Sequence, residues 1–301
     1  MDLKSKLLDP ARRVRLYGTT PPRAGTPPEQ VAAAAEKLAA RLAGLPLDAV
    51  VVYDIQDETG RTELPRPFPL TATVDPRDYA KFFNLPTIVY KALGNVDEAA
   101  WQGWLDASRG LDFLSIVGRP APGKYALPLS RAIRAAAAHA AGYTIGGVVI
   151  AERHTAERSE SARLLAKGIE GCAYFISQAV YHAPPSERLL ADYLRDCRGA
   201  GVAPRRIVLT FAPVGRDKTL AFLRWLGVNV APETEREILG AARPLAQSIR
   251  ICRDNLRRIL DGKYASQIPL GVNVESVSIN RDEIDASVEL FHALGEVLQG
   301  K

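Results

Sequence analysis

Short apolar runs alternate with helical stretches along the chain, and polar residues follow most of the runs. The runs are rich in branched side chains, and they occupy residues 13–20, 49–55, 87–94, 111–118, 144–152, 172–181, 206–213 and 272–279. Runs of this kind between helical segments are typical of buried parallel strands. Eight such βα units in succession predict an α/β fold, a (β/α)8 TIM barrel.

The pattern predicts one domain over residues 1–301, because no linker or low-complexity tract interrupts the alternation. A long helical stretch at 233–260 precedes the eighth run, and it predicts an extra helix outside the regular repeat. In barrels of this type the functional residues lie at the carboxyl ends of the strands. The search for a site therefore narrows to the eight junctions that follow the strands.

Composition and charge exclude several classes of partner. The net charge of +5 comes from scattered Lys and Arg residues, which argues against a nucleic-acid groove. No apolar run is long enough to span a membrane. The three cysteines and four histidines lack metal-ligand spacing, and three separate thiols are typical of a reducing compartment. We therefore expect a soluble cytoplasmic protein with a small-molecule partner and no metal; a homo-oligomer remains open.

Charged and amide side chains follow most of the predicted strands. They are Asp54 and Glu58 at and after the end of the second run, Lys91 in the third, Arg119 after the fourth beside Gly118, Glu152 and His154 at and after the end of the fifth, Gln178 in the sixth, and Asn280 and Arg281 after the eighth. Side chains that converge at one mouth of a barrel would suit a flat, polar, anionic heterocyclic ligand. The segment 56–69 is longer than an ordinary βα loop, and a lid and a plain surface loop both remain open.

Three common enzyme motifs are missing from the chain. There is no GxGxxG after a strand, no GxxxxGK[ST] phosphate loop and no GxSxG turn. These absences argue against a Rossmann dehydrogenase, a P-loop enzyme and an α/β-hydrolase.

Four short motifs, in order and at matching spacing, resemble the methylenetetrahydrofolate reductase family. They are Glu-Arg-His at 152–154, Gly-Cys-Ala-Tyr-Phe-Ile-Ser-Gln at 171–178, Ala-Pro-Val at 212–214 and Ile-Asn-Arg-Asp-Glu at 279–283. Lys167 falls where that family has a lysine that reaches the flavin phosphates. The resemblance implies a barrel that binds FAD and a folate and takes reducing equivalents from NAD(P)H.

The resemblance also assigns roles to residues of this chain. It places Gln178 and Arg281 against the folate, and we add Asn280 and Arg119 beside them. The residues expected at the cofactor are His154, Lys167, Glu152, Lys91 and Gly118.

Two departures from the family pattern concern acidic residues. The family's general acid near the end of strand one corresponds to Gly18, and an aspartate after strand four corresponds to Arg119. Protonation of the departing folate nitrogen needs an acid, and general acid–base catalysis is worth roughly 10²–10⁴-fold. Asp54 or Glu58 is the expected replacement, with Asp54 preferred because it ends the strand beside strand one.

Two functions fit these observations. The first is a divergent reductase that acts on folate one-carbon units with NAD(P)H, with or without FAD. The second is a folate- or flavin-binding protein, or a partner subunit, that uses the same scaffold and does not reduce its ligand. A different methyl-transfer reaction on methyltetrahydrofolate also remains open.

Overall fold

A computed structural model of the chain describes residues 2–55, 63, 65–94, 96–118 and 127–300. Its centre is a closed barrel in which eight parallel strands follow one another in chain order. The strands are β1 Arg15–Thr19, β2 Ala49–Val52, β3 Thr87–Ala92, β4 Phe113–Val117, β5 Thr144–Val149, β6 Cys172–Ala179, β7 Arg206–Phe211 and β8 Leu270–Glu275. The predicted (β/α)8 barrel is confirmed.

Helices cover the outside of the barrel. They are α1 Leu3–Leu8, α2 Pro28–Leu42, α3 Pro76–Ala80, α4 Glu98–Ala107, α5 Leu129–Ala137, α6 Glu160–Glu170, α7 Ala183–Gly199, α8 Asp217–Trp225, α9 Pro232–Leu239, α10 Pro244–Leu260 and α11 Arg281–Leu298. The predicted extra helix before β8 is present as two helices, α9 and α10. The break falls before Pro244, which has no backbone N–H to continue α9 but suits the first turn of α10.

The hydrophobic core has two layers. The outer layer lies between the strands and the helices, and it includes Trp101, Leu164 and Phe291. The inner layer fills the barrel and includes Leu16, Tyr174 and other strand residues, all of them buried. Leu3 and Leu7 of α1 pack on this inner layer. The sequence pattern did not predict α1, which covers the amino-terminal end of the barrel.

A buried arginine holds α1 in place. Arg206, at the start of β7, is only 1% exposed. Its guanidinium donates hydrogen bonds to five backbone carbonyl oxygens, namely those of Lys6, Leu7, Asp9, Arg12 and Leu270. Burial lowers the pKa of Arg206 to about 10. One side chain therefore joins the segment around α1 to β7 and β8.

All eight strands end before their apolar runs do, and the difference matters most at β5 and β8. β5 ends at Val149 and a short 3-10 helix, Ala151–Arg153, follows it. β8 ends at Glu275, whereas the apolar run continues to Ile279. The predicted end of strand eight was wrong, so the residue that this strand presents at the barrel mouth is Glu275 rather than Asn280 or Arg281.

Within the described part of the chain, the helices are too short or too polar to cross a membrane.

Candidate functional site at the carboxyl ends of the strands

A cavity of about 330 Å³ opens at the carboxyl ends of the strands. Residues in or just after β1 to β6 and β8 line it, together with parts of α6 and α8. The site therefore lies at the face of the barrel where enzymes of this fold place their chemistry. Its walls combine apolar side chains with a few charged and amide groups, a mixture typical of small-molecule sites.

Asp54 lines this cavity, and one of its carboxylate oxygens is already engaged by neighbouring residues. Its Oδ2 atom accepts a hydrogen bond from the backbone N–H of Ala92 at 2.8 Å. The same oxygen lies 3.5 Å from the Nζ atom of Lys91. These contacts tie the end of β2 to β3 and stabilise Asp54 as a hydrogen-bond acceptor.

A second carboxyl group enters the cavity from β8. Glu275 and Tyr53 both line the cavity; burial raises the pKa of Glu275 to about 7, although its interaction with the tyrosine hydroxyl lowers that pKa. The Tyr53 hydroxyl accepts a hydrogen bond from Nδ2 of Asn273 at 2.8 Å. Asn273 also donates to Oγ1 of Thr210 at 3.2 Å. A chain of polar side chains thus crosses the barrel interior and ends at Glu275.

Gly18 is required by this arrangement. A Cβ atom at Gly18 would lie 2.5 Å from the Tyr53 hydroxyl oxygen and 2.7 Å from the ring carbon Cε2. Real Cβ atoms do not approach other atoms so closely, so any side chain at residue 18 would displace Tyr53. The Tyr53 ring occupies the space into which a longer side chain on β1 would project.

Gln178 presents an unused acceptor in the site. Its Nε2 atom donates to the carbonyl oxygen of Leu226 at 2.5 Å, which fixes the orientation of the amide. Its Oε1 atom is buried and has no hydrogen-bond partner among the described residues. A buried polar atom without a partner costs roughly 1–3 kcal/mol. A ligand with an N–H or O–H donor would remove that cost.

Basic residues line the side of the cavity formed by β5 and α6. Arg153, Arg163 and Lys167 all line it. The Nζ atom of Lys167 donates to the carbonyl oxygen of Val148 at 2.7 Å and lies 3.9 Å from Oε1 of Glu160. Burial lowers the pKa of Lys167, and the charge of Glu160 opposes that effect. This side of the cavity suits the negative charge of a ligand.

Arg66 reaches the cavity from the segment between β2 and α3. Its guanidinium carbon lies 4.7 Å from the ring centre of Trp225 and 5.6 Å from that of Phe222, both in α8. Its Nε atom is buried, and none of the described residues accepts a hydrogen bond from it. Phe68 makes an edge contact with Phe222 at 5.3 Å. Residues 66–68 thus cross the barrel mouth, since β1 and β8 separate β2 from β7, the strand before α8.

The structure brings only some of the predicted site residues together. Asp54, Gly118, Lys167 and Gln178 line the cavity. Glu58 and Arg119 lie outside the described residues, so the roles predicted for them stay predictions.

The other predicted residues lie beside the cavity or away from it. His154 contacts Asp192 of α7, with 2.9 Å between Nε2 and Oδ2. Arg281 is 87% exposed and its Nε lies 3.5 Å from Asp285, and Nδ2 of Asn280 donates to Glu283. The remaining two residues that do not line the cavity are Lys91, which pairs with Asp54, and Glu152, which contacts the backbone of Asn229.

The sequence prediction missed Tyr53, Arg66 and Glu275 as cavity residues. Glu275 was missed because the apolar run around it continues for four residues after the strand ends. Its signal was a lone acidic residue in an apolar run, since acidic residues are rare in the buried parts of a protein. Arg66 stands in a polar, proline-rich segment that offers no periodic signal. Among the described residues, no group of three or more His, Cys, Asp or Glu side chains could hold a metal ion.

Comparisons with known proteins include solved structures that align over the full length of the chain. No protein-family model and no curated protein match the chain. The chain is similar to an uncharacterized protein from Clostridium thermocellum whose solved structure binds two copies of 5-methyl-5,6,7,8-tetrahydrofolic acid. The two share 29% identity over 98% of this chain and 99% of the other, with a TM-score of 0.83.

A second solved structure, Xanthomonas albilineans dihydropteroate synthase with indole-2-carboxylic acid and 6-chloroguanine, is much more distant. It has 13% identity and a TM-score of 0.47 over 99% of this chain and 97% of that chain.

Proposed function

We propose that this protein binds a reduced folate of the 5-methyltetrahydrofolate class in the cavity at the barrel mouth. The observation that carries the proposal is the full-length similarity to a barrel protein that binds 5-methyltetrahydrofolic acid. The alignment covers 98% of this chain and 99% of the other, so the similarity is not confined to a part of the barrel. Fold alone does not determine function, and the side chains of the cavity must therefore suit the ligand.

Gln178 supports a pterin ligand. A pterin ring carries an amino group and ring N–H groups, and each of these can donate to the buried Oε1 atom, which has no partner in the part of the chain that the structure describes. The orientation of the amide is fixed, because its Nε2 atom donates a hydrogen bond to the carbonyl oxygen of Leu226. Satisfying a buried acceptor gives specificity as well as affinity, since ligands without the donor leave it unpaired.

The charge distribution supports the rest of a folate. A folate ends in a glutamate whose carboxylates are negative at neutral pH, and Arg66, Arg153, Arg163 and Lys167 line the cavity. Its benzoyl ring is aromatic and flat, and apolar residues such as Ile150, Leu129 and Val277 provide the walls between the polar groups.

Calorimetric titration with 5-methyltetrahydrofolate tests the proposal. We expect saturable binding by the wild-type protein, and a roughly tenfold loss of affinity in Gln178→Ala, the amount that one hydrogen bond contributes. Gln30→Ala is the matched control, because Gln30 is exposed on α2. An absence of binding by a folded wild-type protein would reject the proposal. Equal affinities for wild type and Gln178→Ala would remove Gln178 from the site.

A second candidate function, reduction of methylenetetrahydrofolate with NAD(P)H, is favoured by the carboxyl group that Glu275 brings into the cavity. The proposed participation of FAD has less support. Of the five residues expected to hold FAD, only Gly118 and Lys167 line the cavity. The Nζ atom of Lys167 already donates a hydrogen bond to the carbonyl oxygen of Val148. The described residues do not assemble a flavin site, so we assign no step to a flavin.

Two measurements test the second candidate. Absorbance near roughly 450 nm in the purified protein would show a bound flavin, because that chromophore belongs to the cofactor. NADH and NADPH oxidation is then followed with and without methylenetetrahydrofolate. Oxidation that depends on the folate would support reduction, and it would do so without a flavin if the protein is colourless. Folate binding without any such oxidation would leave the protein as a folate-binding protein.

A further inference from the structure

We propose that Glu275 is the acid of this site, and that it donates a proton or a hydrogen bond to an amine nitrogen of the bound reduced folate while Tyr53 positions its carboxyl group. This inference rests on the proposed folate function and names the residue that performs its proton chemistry. It also differs from the sequence prediction, which placed the acid at Asp54 or Glu58.

The register of the barrel places Glu275 beside Gly18. β1 and β8 are neighbouring parallel strands, and Gly18 is paired with Glu275 in their register. Paired residues on adjacent strands project to the same side of a sheet. Glu275 therefore enters the cavity from the strand next to the position at which the family resemblance expects a carboxyl group.

The packing of Tyr53 links the two positions. With no side chain at Gly18, the Tyr53 ring lies against β1 and its hydroxyl reaches the Glu275 carboxyl. A glutamate at residue 18 would exclude Tyr53 from this place, because even its Cβ atom would lie within 3 Å of three ring and hydroxyl atoms. The absence of a side chain at Gly18 therefore allows Tyr53 to lie beside Glu275.

The direction of the hydrogen bond from Asn273 allows the Tyr53 hydroxyl to act as a donor toward Glu275. Asn273 donates to the Tyr53 hydroxyl oxygen, which leaves the hydroxyl proton for Glu275. The titratable groups that interact with Glu275 are Tyr17, Tyr53 and Tyr90, and burial raises the pKa of each, so all three are neutral near pH 7. Burial likewise raises the pKa of Glu275 to about 7, which leaves much of its carboxyl group protonated at neutral pH.

Asp54 and Glu160, the other described carboxyl groups that line the cavity, have contacts that suit the opposite role. Each lies near a lysine ammonium group, at 3.5 Å and 3.9 Å respectively, and Asp54 also accepts the Ala92 N–H. Among the described residues, no such cation pairs with Glu275, so one of its oxygens is suited to carry the proton.

The reaction of the second candidate function would use this proton directly. The bond between the bridging methylene carbon of methylenetetrahydrofolate and one of its two nitrogens breaks, and the electron pair stays on that nitrogen. Glu275 protonates the nitrogen, and the iminium carbon that remains takes a hydride from a reduced nicotinamide. The folate is reduced to the methyl level, the nicotinamide is oxidised, and Glu275 regains its proton from solvent.

The proposal is tested by the pH dependence of 5-methyltetrahydrofolate affinity, measured by calorimetry between pH 6 and 9. If the ligand binds the protonated form of Glu275, the wild-type affinity falls by roughly tenfold per pH unit above pH 7. In Glu275→Gln this fall is absent. In Tyr53→Phe the fall begins at a higher pH, because the lost hydroxyl donor no longer lowers the pKa of Glu275. Glu296→Gln, at an exposed position of α11, is expected to behave like wild type.

The outcomes separate this inference from the proposed function. No folate binding by wild type at any pH rejects the folate function, and this inference with it. Binding that is insensitive to pH, or a pH dependence that Glu275→Gln retains, overturns the role of Glu275 alone. If wild type also reduces methylenetetrahydrofolate, Glu275→Gln should lose roughly 10²–10⁴-fold in turnover. A loss of that size in Asp54→Asn, with full turnover in Glu275→Gln, would assign the acid to Asp54 instead.

Discussion

At the residue scale, burial shifts the pKa values of the acidic and basic groups of the cavity in opposite directions. It raises the pKa of Glu275 and lowers the pKa of Lys167, so it favours the neutral form of both. Neighbouring groups oppose it, since Tyr53 donates to the glutamate and Glu160 lies near the lysine. Such groups change charge readily when a ligand arrives, and they are enriched in functional sites.

The raised pKa of Glu275 predicts a specific pH dependence of stability. Its ordinary value is 4.5 and its value in the fold is about 7. The neutral form is therefore favoured by folding, and the stability it contributes is present below pH 4.5 and is lost as the pH rises through 7. At pH 8, Glu275→Gln should be more stable than wild type by up to about 3 kcal/mol, since one pKa unit corresponds to about 1.4 kcal/mol. Below pH 4.5 the difference should be small.

Urea unfolding at pH 4.5 and pH 8 measures this difference. Glu296→Gln is again the control, because an exposed glutamate should show no comparable change between the two pH values. A difference between wild type and Glu275→Gln that stays constant with pH would contradict the raised pKa.

At the element scale, the apolar pattern predicted the strands well and their ends less well. Each of the eight predicted runs contains or overlaps one strand, because residues buried on both faces of a parallel strand are apolar throughout. The same continuity conceals where a strand ends, so Glu275 was read as internal and Arg281 as a strand-end residue. Asp54 and Gln178 nevertheless line the cavity, because each lies within two residues of the end of its strand.

Contacts between elements far apart in the sequence could not be predicted from local patterns. Arg66 reaches the cavity because α8 offers two aromatic rings, and the sequence separates it from those rings by more than 150 residues. The hydrogen bond between His154 and Asp192 similarly depends on how α7 packs, and it directs a residue expected at the cofactor toward a helix.

The position of Arg66 across the barrel mouth predicts an effect on ligand release. Arg66→Ala removes a cation from the cavity wall and the stacking on Trp225 and Phe222. We expect affinity for 5-methyltetrahydrofolate to fall roughly tenfold, mainly through faster dissociation, since related complexes differ mostly in off-rate. Stopped-flow measurement of association and dissociation checks this expectation.

Arg250→Ala is the matched control for Arg66→Ala, because Arg250 is exposed on α10 and pairs with Glu237. A pterin that lacks the glutamate should lose little affinity in Arg66→Ala if Arg66 binds a carboxylate. An equal loss for both ligands would contradict a role for Arg66 in binding the negative end of the folate.

At the scale of the whole molecule, the two ends of the barrel have different tasks. The carboxyl end is an open cavity with an unpaired acceptor and several charges. The amino end is closed by α1, whose leucines pack on the barrel interior, and by Arg206. Stabilising contacts at the amino end of the barrel allow unsatisfied polar groups at the carboxyl end, and this division is typical of the fold.

Replacement of Arg206 should therefore destabilise the protein without changing its ligand preference. Arg206→Met fills a similar volume but leaves five carbonyl oxygens without their donor, and each unsatisfied buried group costs roughly 1–3 kcal/mol. Allowing for new contacts with water, we expect a loss of about 4 kcal/mol in the free energy of unfolding. Urea unfolding measures the loss, and Arg250→Met at an exposed position is the control.

Affinity for 5-methyltetrahydrofolate in Arg206→Met should equal that of wild type under conditions where the variant is folded, because neither Arg206 nor the residues whose carbonyl oxygens it binds line the cavity. A loss of stability below about 1 kcal/mol would contradict the anchoring role of Arg206.

The contacts of Arg206 also order the events of folding during synthesis. The carbonyl oxygen of Leu7 is bound by a side chain 199 residues later in the chain. At ribosomal rates of roughly 5–20 residues per second, the first helix waits about 10–40 s before its anchor has been made. During that interval Leu3 and Leu7 have no barrel to cover. The helix that begins the described chain is therefore among the last elements to be locked in place, and until then its apolar face is available to chaperones and to other nascent chains.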